Sequence, residues 1–247
     1  MNTPNEKNFF MEHGYLHVRG ILNSEYLAFI QKEFDRVWEL EKPHVSSNQF
    51  LNEPRVLKHK AFIELIEHPP ILKRLYAIFG SQTQLLQYEL SRQDPTSEVH
   101  WHWHRDFTFR GEWPLAINGL LYLDDMTEDQ GPTRVVPGSH RGEVWPPQKS
   151  ADEPLPGEVS IYADAGDALF INASIWHTGG HNRSGGLRRV VHPYYGYWWL
   201  KRYNWHLSPP WQALENAGEQ RLRLLGVKMP DKDIHLYDQG YSISEFA

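Results

Sequence analysis

Three histidines and an aspartate alternate along one short segment of the chain, at His100, His102, His104 and Asp106. Side chains of a β-strand point to alternate faces at about 3.3 Å per residue, so in a strand these four would share one face. Two ligands on that face can reach one ion, and imidazole with carboxylate is a typical pair for a divalent first-row metal. The segment therefore indicates a metal site, although polar residues inside a barrel would give the same pattern.

A second segment offers a further imidazole and a cation. It runs from the turn at Gly166-Asp167 through an apolar stretch to His177, and then past a glycine-rich turn to Arg188. Two ligands from one strand and a third from another form the 2-His-1-carboxylate triad, which leaves positions on Fe(II) open. A nearby arginine can bind a carboxylate through two parallel N–H donors. Together the segments indicate an iron site with an adjoining carboxylate pocket.

The elements that must position these residues are short strands preceded by helices. Apolar spacing predicts a helix over 24–41 with Ser24 as its N-cap, and helices over 60–80 broken at Pro69-Pro70. From residue 83 the period falls towards 2, which predicts strands over 83–90, 99–109, 116–123, 159–163, 168–171 and 190–197. A helical turn and strand over 9–18 and an irregular loop over 142–157 complete the pattern. This order predicts a mainly β fold with flanking helices.

Composition narrows the class of protein. The 247 residues carry a net charge of -6, whereas proteins that bind nucleic acid usually carry the opposite sign. There is no cysteine, so any metal site must use imidazole and carboxylate, for which the chain offers 14 histidines. No apolar run is long enough for a membrane span, and the first residues lack the order of a signal peptide. We therefore expect a cytoplasmic protein that binds neither nucleic acid nor membrane.

The chain resembles the phytanoyl-CoA dioxygenase (PhyH-like) family of Fe(II)/2-oxoglutarate-dependent oxygenases over about residues 9–230. His104-Arg105-Asp106 matches the His-x-Asp of that family, and His177 matches its distal histidine. Arg188 lies eleven positions later, where the family has its 2-oxoglutarate-binding arginine. A further match is the Pro-Gly-Ser-His turn within residues 131–140. No single match is specific, but the triad, the arginine spacing and the turn together are.

The resemblance implies a single domain over 1–247. Its core would be a double-stranded β-helix, the jelly-roll or cupin-like fold, over about 83–200. N-terminal helices over about 24–80 would buttress this core, and a C-terminal extension would follow over about 201–247. A small molecule is the implied partner, and both a monomer and a homodimer remain open.

The resemblance also implies the chemistry of the site. His104, Asp106 and His177 would be the catalytic metal ligands of Fe(II), with 2-oxoglutarate and O₂ as co-substrates and Arg188 on the distal carboxylate of 2-oxoglutarate. The reaction would hydroxylate an unactivated C–H of a small metabolite or natural-product intermediate, releasing succinate and CO₂. Desaturation and ring closure use the same triad. Related halogenases have a small residue in place of Asp106, so the carboxylate favours hydroxylation.

Other pocket residues follow by position. Relatives carry a polar residue in the pocket on the strand before His-x-Asp, where this chain has Gln87, with Glu89 and Ser91 on the same face. Relatives often hold 2-oxoglutarate with Ser or Thr two residues after the distal histidine, where this chain has Gly179, preceded by Thr178. Gln87, Ser91 and Thr178 are therefore predicted to join Arg188 in binding the co-substrate. His102, Arg110 and Trp113 are predicted to touch the substrate.

Several alternatives remain open. His102 could replace His104 as a ligand, but Asp106 would then be left without a role. His181 could replace His177, but Arg188 would then no longer lie eleven positions after the distal histidine. A non-catalytic jelly-roll binding module and a zinc hydrolase are the competing functions. The module predicts a broken triad, and the hydrolase predicts a general acid/base motif such as His-Glu-x-x-His. The sequence shows neither feature.

Overall fold

A computed structural model describes residues 3–81, 83–95, 101–107 and 113–228 of the chain. The helices of these residues lie towards both ends: α1 Thr3–His13, α2 Ser24–Leu40, α3 Lys60–Leu65, α4 Pro69–Phe79, α5 Trp211–Leu214 and α6 Glu219–Leu224. The predictions over 24–41 and 60–80 are confirmed, including the break at Pro69. The predicted N-cap of α2 is wrong by one residue, because the side chain of Asn23 accepts the hydrogen bond from the Tyr26 backbone N–H at 2.9 Å.

The strands of the described residues form two antiparallel sheets. They are β1 Tyr15–Val18, β2 Phe50–Asn52, β3 Thr83–Gln93, β4 Ala116–Tyr122, β5 Thr133–Val136, β6 Val159–Ile161, β7 Ala168–Asn172, β8 Trp176–Thr178 and β9 Arg188–Tyr197. The major sheet has the order β1-β7-β4-β9-β3-β2, and the minor sheet the order β6-β5-β8. The prediction of a mainly β fold with flanking helices is confirmed.

The major sheet has two differently used faces. One face carries Tyr88, Val191 and Tyr195 into a large core that includes residues of α2, α3 and α4. The other face turns towards the minor sheet, and Tyr122 and Val190 pack there with Val135 of β5. Because side chains alternate along a strand, one pair of strands serves both the helical buttress and the interior between the sheets.

The register of β3 and β9 shows which of their residues share the face that lines the interior between the sheets. Gln87 lies opposite Tyr194, Glu89 lies opposite His192, and Ser91 lies opposite Val190. Directly opposed residues of an antiparallel pair point to the same face. Polar side chains therefore line the interior in a two-strand ladder.

Residues 101–107 run alongside β8 of the minor sheet without forming a strand of their own. His102 makes an isolated bridge with Ser150, and His104 makes one with His177. The continuous strand predicted over 99–109 is therefore wrong for 101–107; its remaining residues lie outside those described. Buried side chains fix this segment instead. The indole of Trp103 donates to the carbonyl of Glu153, and the guanidinium of Arg105 donates to the carbonyls of Ser139 and Gly142.

The ends of the chain close over this framework. The predicted irregular loop over 142–157 is confirmed. Buried Arg202, after β9, binds Glu53 and the carbonyl of Leu225, so it ties the C-terminal helices to the body of the fold. Across the described residues, no helix has both the length and the apolar character needed to cross a bilayer. The single-domain extent, the oligomeric state and the cytoplasmic location stay predictions.

Candidate metal and co-substrate site

Three potential metal ligands converge where the two sheets face each other. One ligand atom from each of His104, Asp106 and His177 lies within 4.8 Å of the others. The Nε2 atoms of both histidines lie 3.7 Å from Oδ1 of Asp106. The backbones of His104 and His177 exchange hydrogen bonds of 2.9 and 3.0 Å, which brings the two segments into register. Distances of this size suit one ion bound by metal–ligand bonds of about 2.0–2.2 Å.

Both imidazoles are held in the tautomer that a metal requires. Nδ1–H of His104 donates to the carbonyl of His102 at 2.8 Å, and Nδ1–H of His177 donates to the carbonyl of Ile175 at 3.1 Å. In the neutral form of each ring, Nε2 is therefore the atom left free to bind a metal, and it faces Asp106. Burial lowers the pKa of His177 to about 4, with a smaller contribution from nearby His104. His177 is accordingly neutral at pH 7, the form that ligates metals.

The Pro-Gly-Ser-His turn supports the strand that carries His177. Gly138 has a left-handed φ of 80°, and the hydroxyl of Ser139 accepts a hydrogen bond from the Trp176 backbone N–H at 2.8 Å. His140 packs against Gly14 and contacts the carbonyl of Met11 at 3.2 Å. This turn is therefore a structural support of β8, and His140 is not a ligand.

A cavity of about 170 Å³ adjoins the triad on one side. We call it the arginine cavity; besides the triad it is lined by Phe50, Ser91, Trp101, Thr133, Gly179 and Arg188. Arg188 is 4% exposed, and its Nε is buried without a hydrogen-bond partner among the described residues. Burial lowers the pKa of Arg188, although guanidinium stays charged in proteins. A buried cation of this kind is stabilised by an anionic ligand.

A second cavity, of about 350 Å³, opens on the other side of Asp106. We call it the tyrosine cavity; its own lining residues are Leu86, Gln87, Phe107, Tyr194, Lys201 and Tyr203. The two cavities share a wall made of Glu89, Asp106, Asn118 and His192. One ligand of the triad thus faces two compartments.

Two groups of the shared wall are fixed by hydrogen bonds. The Nε2 of His192 lies 2.8 Å from the hydroxyl of Ser91, and burial lowers the pKa of His192 to about 3. His192 is therefore neutral, and it adds no charge beside Arg188. The side-chain amide of Asn118 donates to Oδ2 of Asp106 at 3.4 Å, which helps to orient the carboxylate.

The predicted co-substrate residues separate in the structure. Ser91 lines the arginine cavity with Arg188, whereas Gln87 lines the tyrosine cavity. Thr178 is fully buried, its hydroxyl donates to the carbonyl of Gly179 at 3.3 Å, and it lines neither cavity. Position on a predicted strand gives the face of a side chain but not its depth in the interior.

The predicted substrate residues lie away from the cavities or outside the described part of the chain. His102 is exposed and lines neither cavity. Trp113 is 40% exposed and lies under the ammonium of Lys7, also outside both cavities. Arg110 lies outside the described residues. His181, the alternative ligand, lies 3.4 Å from Asp152 instead of joining the triad.

The residues of the two cavities that carried no prediction of a role in ligand binding include Glu89, Trp101, Asn118, His192 and Tyr194. A strict strand would have placed Trp101 on the face opposite His104, yet both line the arginine cavity. The alternation along β3 and β9 is the signal that could have found Glu89, His192 and Tyr194. A larger surface depression of about 680 Å³, between α1, β1 and β6, contains none of the triad.

Sequence comparison assigns the family. The family model "Phytanoyl-CoA dioxygenase (PhyH)" matches residues 10–190. The chain belongs to this family. The predicted enzyme class, a dioxygenase dependent on iron and 2-oxoglutarate, is thereby confirmed.

Curated relatives have related names. "Dioxygenase af480" of Aspergillus fumigatus is 22% identical over 92% of this chain and 78% of its own length. "L-proline trans-4-hydroxylase" of Streptomyces griseoviridis is 26% identical over 72% of this chain and 80% of its own length. These names fit the enzyme class and differ in the reaction that they specify.

Solved structures share the fold. HygX from Streptomyces hygroscopicus, crystallised with nickel and 2-oxoglutarate, superposes with a TM-score of 0.69 at 16% identity, covering 81% of this chain and 88% of its own. The epimerase SnoN from nogalamycin biosynthesis superposes with a TM-score of 0.63 at 21% identity, covering 78% and 82%. The jelly-roll prediction is therefore confirmed.

Proposed function

We propose that this protein hydroxylates a C–H bond of a small organic molecule, with conversion of 2-oxoglutarate to succinate and CO₂. The observation that carries the proposal is the combination of the His104, Asp106 and His177 cluster with a buried, unpartnered guanidinium in an adjoining cavity. Such a donor set, one carboxylate and two neutral imidazoles, suits a non-haem Fe(II) centre with open positions.

The residues of the site fit both groups in this proposal. His104 and His177 present Nε2 to the metal, while their Nδ1–H groups are held by backbone carbonyls. When bound, the iron supplies the oxidant that 2-oxoglutarate and O₂ generate. The chain's part is to hold the ligands, orient the co-substrate and keep the site dry.

Arg188 binds the distal carboxylate of 2-oxoglutarate. Its guanidinium is buried in the wall of the arginine cavity, where a carboxylate would be a stronger partner than in bulk water. Ser91 belongs to this side, since its contact with His192 keeps that ring in place. Gln87 belongs to the substrate side, because it lines the tyrosine cavity.

The substrate enters the tyrosine cavity and reaches the metal past Asp106. This cavity has about twice the volume of the arginine cavity, and exposed Tyr203 stands at its rim. A carboxylate at Asp106 fills the coordination position that related halogenases leave for chloride, which supports hydroxylation. Desaturation or ring closure by the same triad is the second candidate reaction.

The test is anaerobic addition of Fe(II) and 2-oxoglutarate to the purified protein. We expect the visible charge-transfer absorption of an iron-bound 2-oxo acid. A binding module or zinc hydrolase would give no such band, and that result would refute the proposal. Screening metabolites for stimulated succinate release, followed by mass analysis of the product, then distinguishes hydroxylation (gain of one oxygen) from desaturation (loss of two hydrogens).

A further inference from the structure

Glu89 is an acidic group that the proposed reaction leaves unused. Its carboxylate lies in the wall shared by the two cavities. Among the described residues no cationic side chain pairs with it; its partner is the neutral amide of Gln87. Burial raises the pKa of Glu89, and the nearby charge of Asp106 adds to this effect. A mostly buried carboxylate without a counter-charge is unfavourable.

The charges of the loaded site leave Glu89 unbalanced. The two positive charges of Fe(II) are offset by Asp106 and by the carboxylate at the oxo-acid end of 2-oxoglutarate. Arg188 offsets the distal carboxylate. His192 is neutral, so it supplies no cation to the shared wall. The carboxyl group of Glu89 faces the tyrosine cavity, where a bound cation would stabilise its ionised form.

Other polar atoms around this cavity also lack partners. Oδ1 of Asn118 is buried and accepts no hydrogen bond from the described residues, and the hydroxyl of Tyr194 is likewise buried and unpaired. Tyr194 is only 8% exposed, and it lines the cavity beside the apolar walls of Leu86 and Phe107. Next to the triad, the shared wall therefore offers the acceptors of Glu89 and Asn118, the hydroxyl of Tyr194 can donate or accept, and the ammonium of Lys201, which also lines the cavity, lies over the ring of Trp205. An ammonium group, which has three donors and one positive charge, complements the acceptors of Glu89 and Asn118.

We propose that the tyrosine cavity binds a small substrate that carries a protonated amine, whose ammonium group contacts Glu89 and Oδ1 of Asn118. The hydroxyl of Tyr194 pairs with a second polar group of the same molecule. The inference that oxidation occurs beside this amine rests on the proposed function. The inference that the amine binds in this cavity does not.

Matched ligand pairs test the proposal. Cyclopentylamine with cyclopentanol, and L-proline with cyclopentanecarboxylate, differ in the amine, and their affinities can be measured by ligand-observed NMR on protein loaded with Ni(II) and 2-oxoglutarate. We expect each amine to bind at least tenfold more tightly than its partner. Glu89→Gln should abolish this preference, while the affinity for 2-oxoglutarate should not fall. Glu39→Gln, an exposed change of the same charge on α2, should leave the preference intact.

Two results would overturn the proposal: amines that bind no better than their amine-free partners, or equal binding of amines to Glu89→Gln and wild type. The same titration without metal or co-substrate separates this failure from a failure of the proposed function. If Ni(II) and 2-oxoglutarate do not bind but the amine preference persists and depends on Glu89, the proposed function fails and the amine site stands.

A different observation, at Trp101, carries a second inference about the co-substrate. A Cβ placed on Gly179 would lie 3.4 Å from Nε1 of Trp101, so the indole rests against the glycine. This Nε1 is buried and has no hydrogen-bond partner among the described residues. It lines the arginine cavity together with Arg188. The cavity thus holds two unpaired N–H donors, one from Arg188 and one from the indole of Trp101. The indole lies beside position 179, where relatives often have a hydroxyl.

We infer that Nε1–H of Trp101 donates to the same carboxylate that Arg188 binds, in place of a hydroxyl at position 179. The absence of a side chain at Gly179 makes the room for the indole. A hydrogen bond from an indole to a carboxylate is charge-assisted, so its removal should be measurable in affinity.

The test measures binding to the Fe(II)-loaded protein without oxygen. We expect Trp101→Phe to weaken 2-oxoglutarate about tenfold, and to leave 2-oxopentanoate, which lacks the distal carboxylate, unchanged. Trp103→Phe is the matched control, because that indole donates to the carbonyl of Glu153 instead. Adding Gly179→Ser to Trp101→Phe should restore part of the affinity. Unchanged affinity for 2-oxoglutarate in Trp101→Phe, or an equal loss for both oxo acids, would overturn the inference.

Discussion

The two cavities that meet at Asp106 differ in size and charge. The arginine cavity, about 170 Å³, surrounds a buried guanidinium, and apolar Leu120 and Ile171 share its wall. The tyrosine cavity, about 350 Å³, adds Gln87, Tyr194 and Lys201 to the shared wall, and its rim is made by the segment after β9, including exposed Tyr203. One compartment therefore suits a small dianion, and the other suits a larger and more varied ligand.

The difference between the two cavities follows the order of residues along the paired strands β9 and β3. On β9, Arg188, His192 and Tyr194 lie on one face, and they pass from the first cavity through the shared wall to the second. On β3, Ser91 and Gln87 make the same passage in the opposite chain direction. Neighbouring residues on the same face of a strand are about 6–7 Å apart. A substitution at one position of β3 or β9 therefore affects one cavity more than the other. Substrate preference can thus change without loss of the co-substrate site.

The largest expected effect comes from the ligand that both cavities share. Asp106→Ala removes the carboxylate from the candidate metal centre, so we expect succinate release to fall by about a thousandfold or more. The measurement is 2-oxoglutarate turnover together with bound iron. Asp164→Asn, at a side chain that is 81% exposed, is the control of equal charge. Turnover in Asp106→Ala that matches wild type would mean that the triad is not the metal site.

A smaller effect, confined to one compartment, is expected at Arg188. Arg188→Lys keeps a cation but loses the planar pair of donors, so we expect 2-oxoglutarate to bind about 10- to 100-fold more weakly. The affinity for 2-oxopentanoate should change little, since it lacks the distal carboxylate. Titration of both oxo acids under anaerobic conditions gives the comparison. An equal loss for the two would place Arg188 outside the co-substrate contact.

The sequence predicted which three side chains converge and which arginine lies beside them, but it did not predict the walls around them. His177 and Arg188 were found through their eleven-position spacing, which matches the family, and not through the strands that carry them, which have three and ten residues. Trp101 was not predicted as a cavity residue because residues 101–107 are held by loop contacts instead of a strand ladder. Their side chains therefore do not alternate between two faces as the sequence analysis assumed. Glu89 and Tyr194 lie on correctly predicted strands, but β9 is buried on both faces, so polarity does not mark which face lines a cavity.

Acid should lower the free energy of unfolding of the protein through His192, a residue of the shared wall. Its pKa is about 3 in the folded protein because of burial, against about 6.5 when unfolded. The unfolded state therefore takes up the proton first, and the free energy of unfolding falls as pH drops from 6.5 towards 3. His192→Gln removes this contribution, so between pH 7 and pH 5 the variant should lose about 2 kcal/mol less stability than wild type. Denaturant titrations at the two pH values measure the difference. Parallel losses would mean that His192 is protonated in the fold.

The smallest effect is expected at Asn118, whose amide donates to Asp106 across a long 3.4 Å contact. A weak, neutral donor orients a carboxylate more than it stabilises it, so Asn118→Ala should lower turnover about two- to fivefold. Affinity for 2-oxoglutarate should stay the same, because the guanidinium of Arg188 is untouched. Turnover and the anaerobic titration together check this. If Asn118→Ala instead weakened 2-oxoglutarate as much as Arg188→Lys does, the shared wall would couple the two cavities, and their separation along the β3–β9 ladder would not hold.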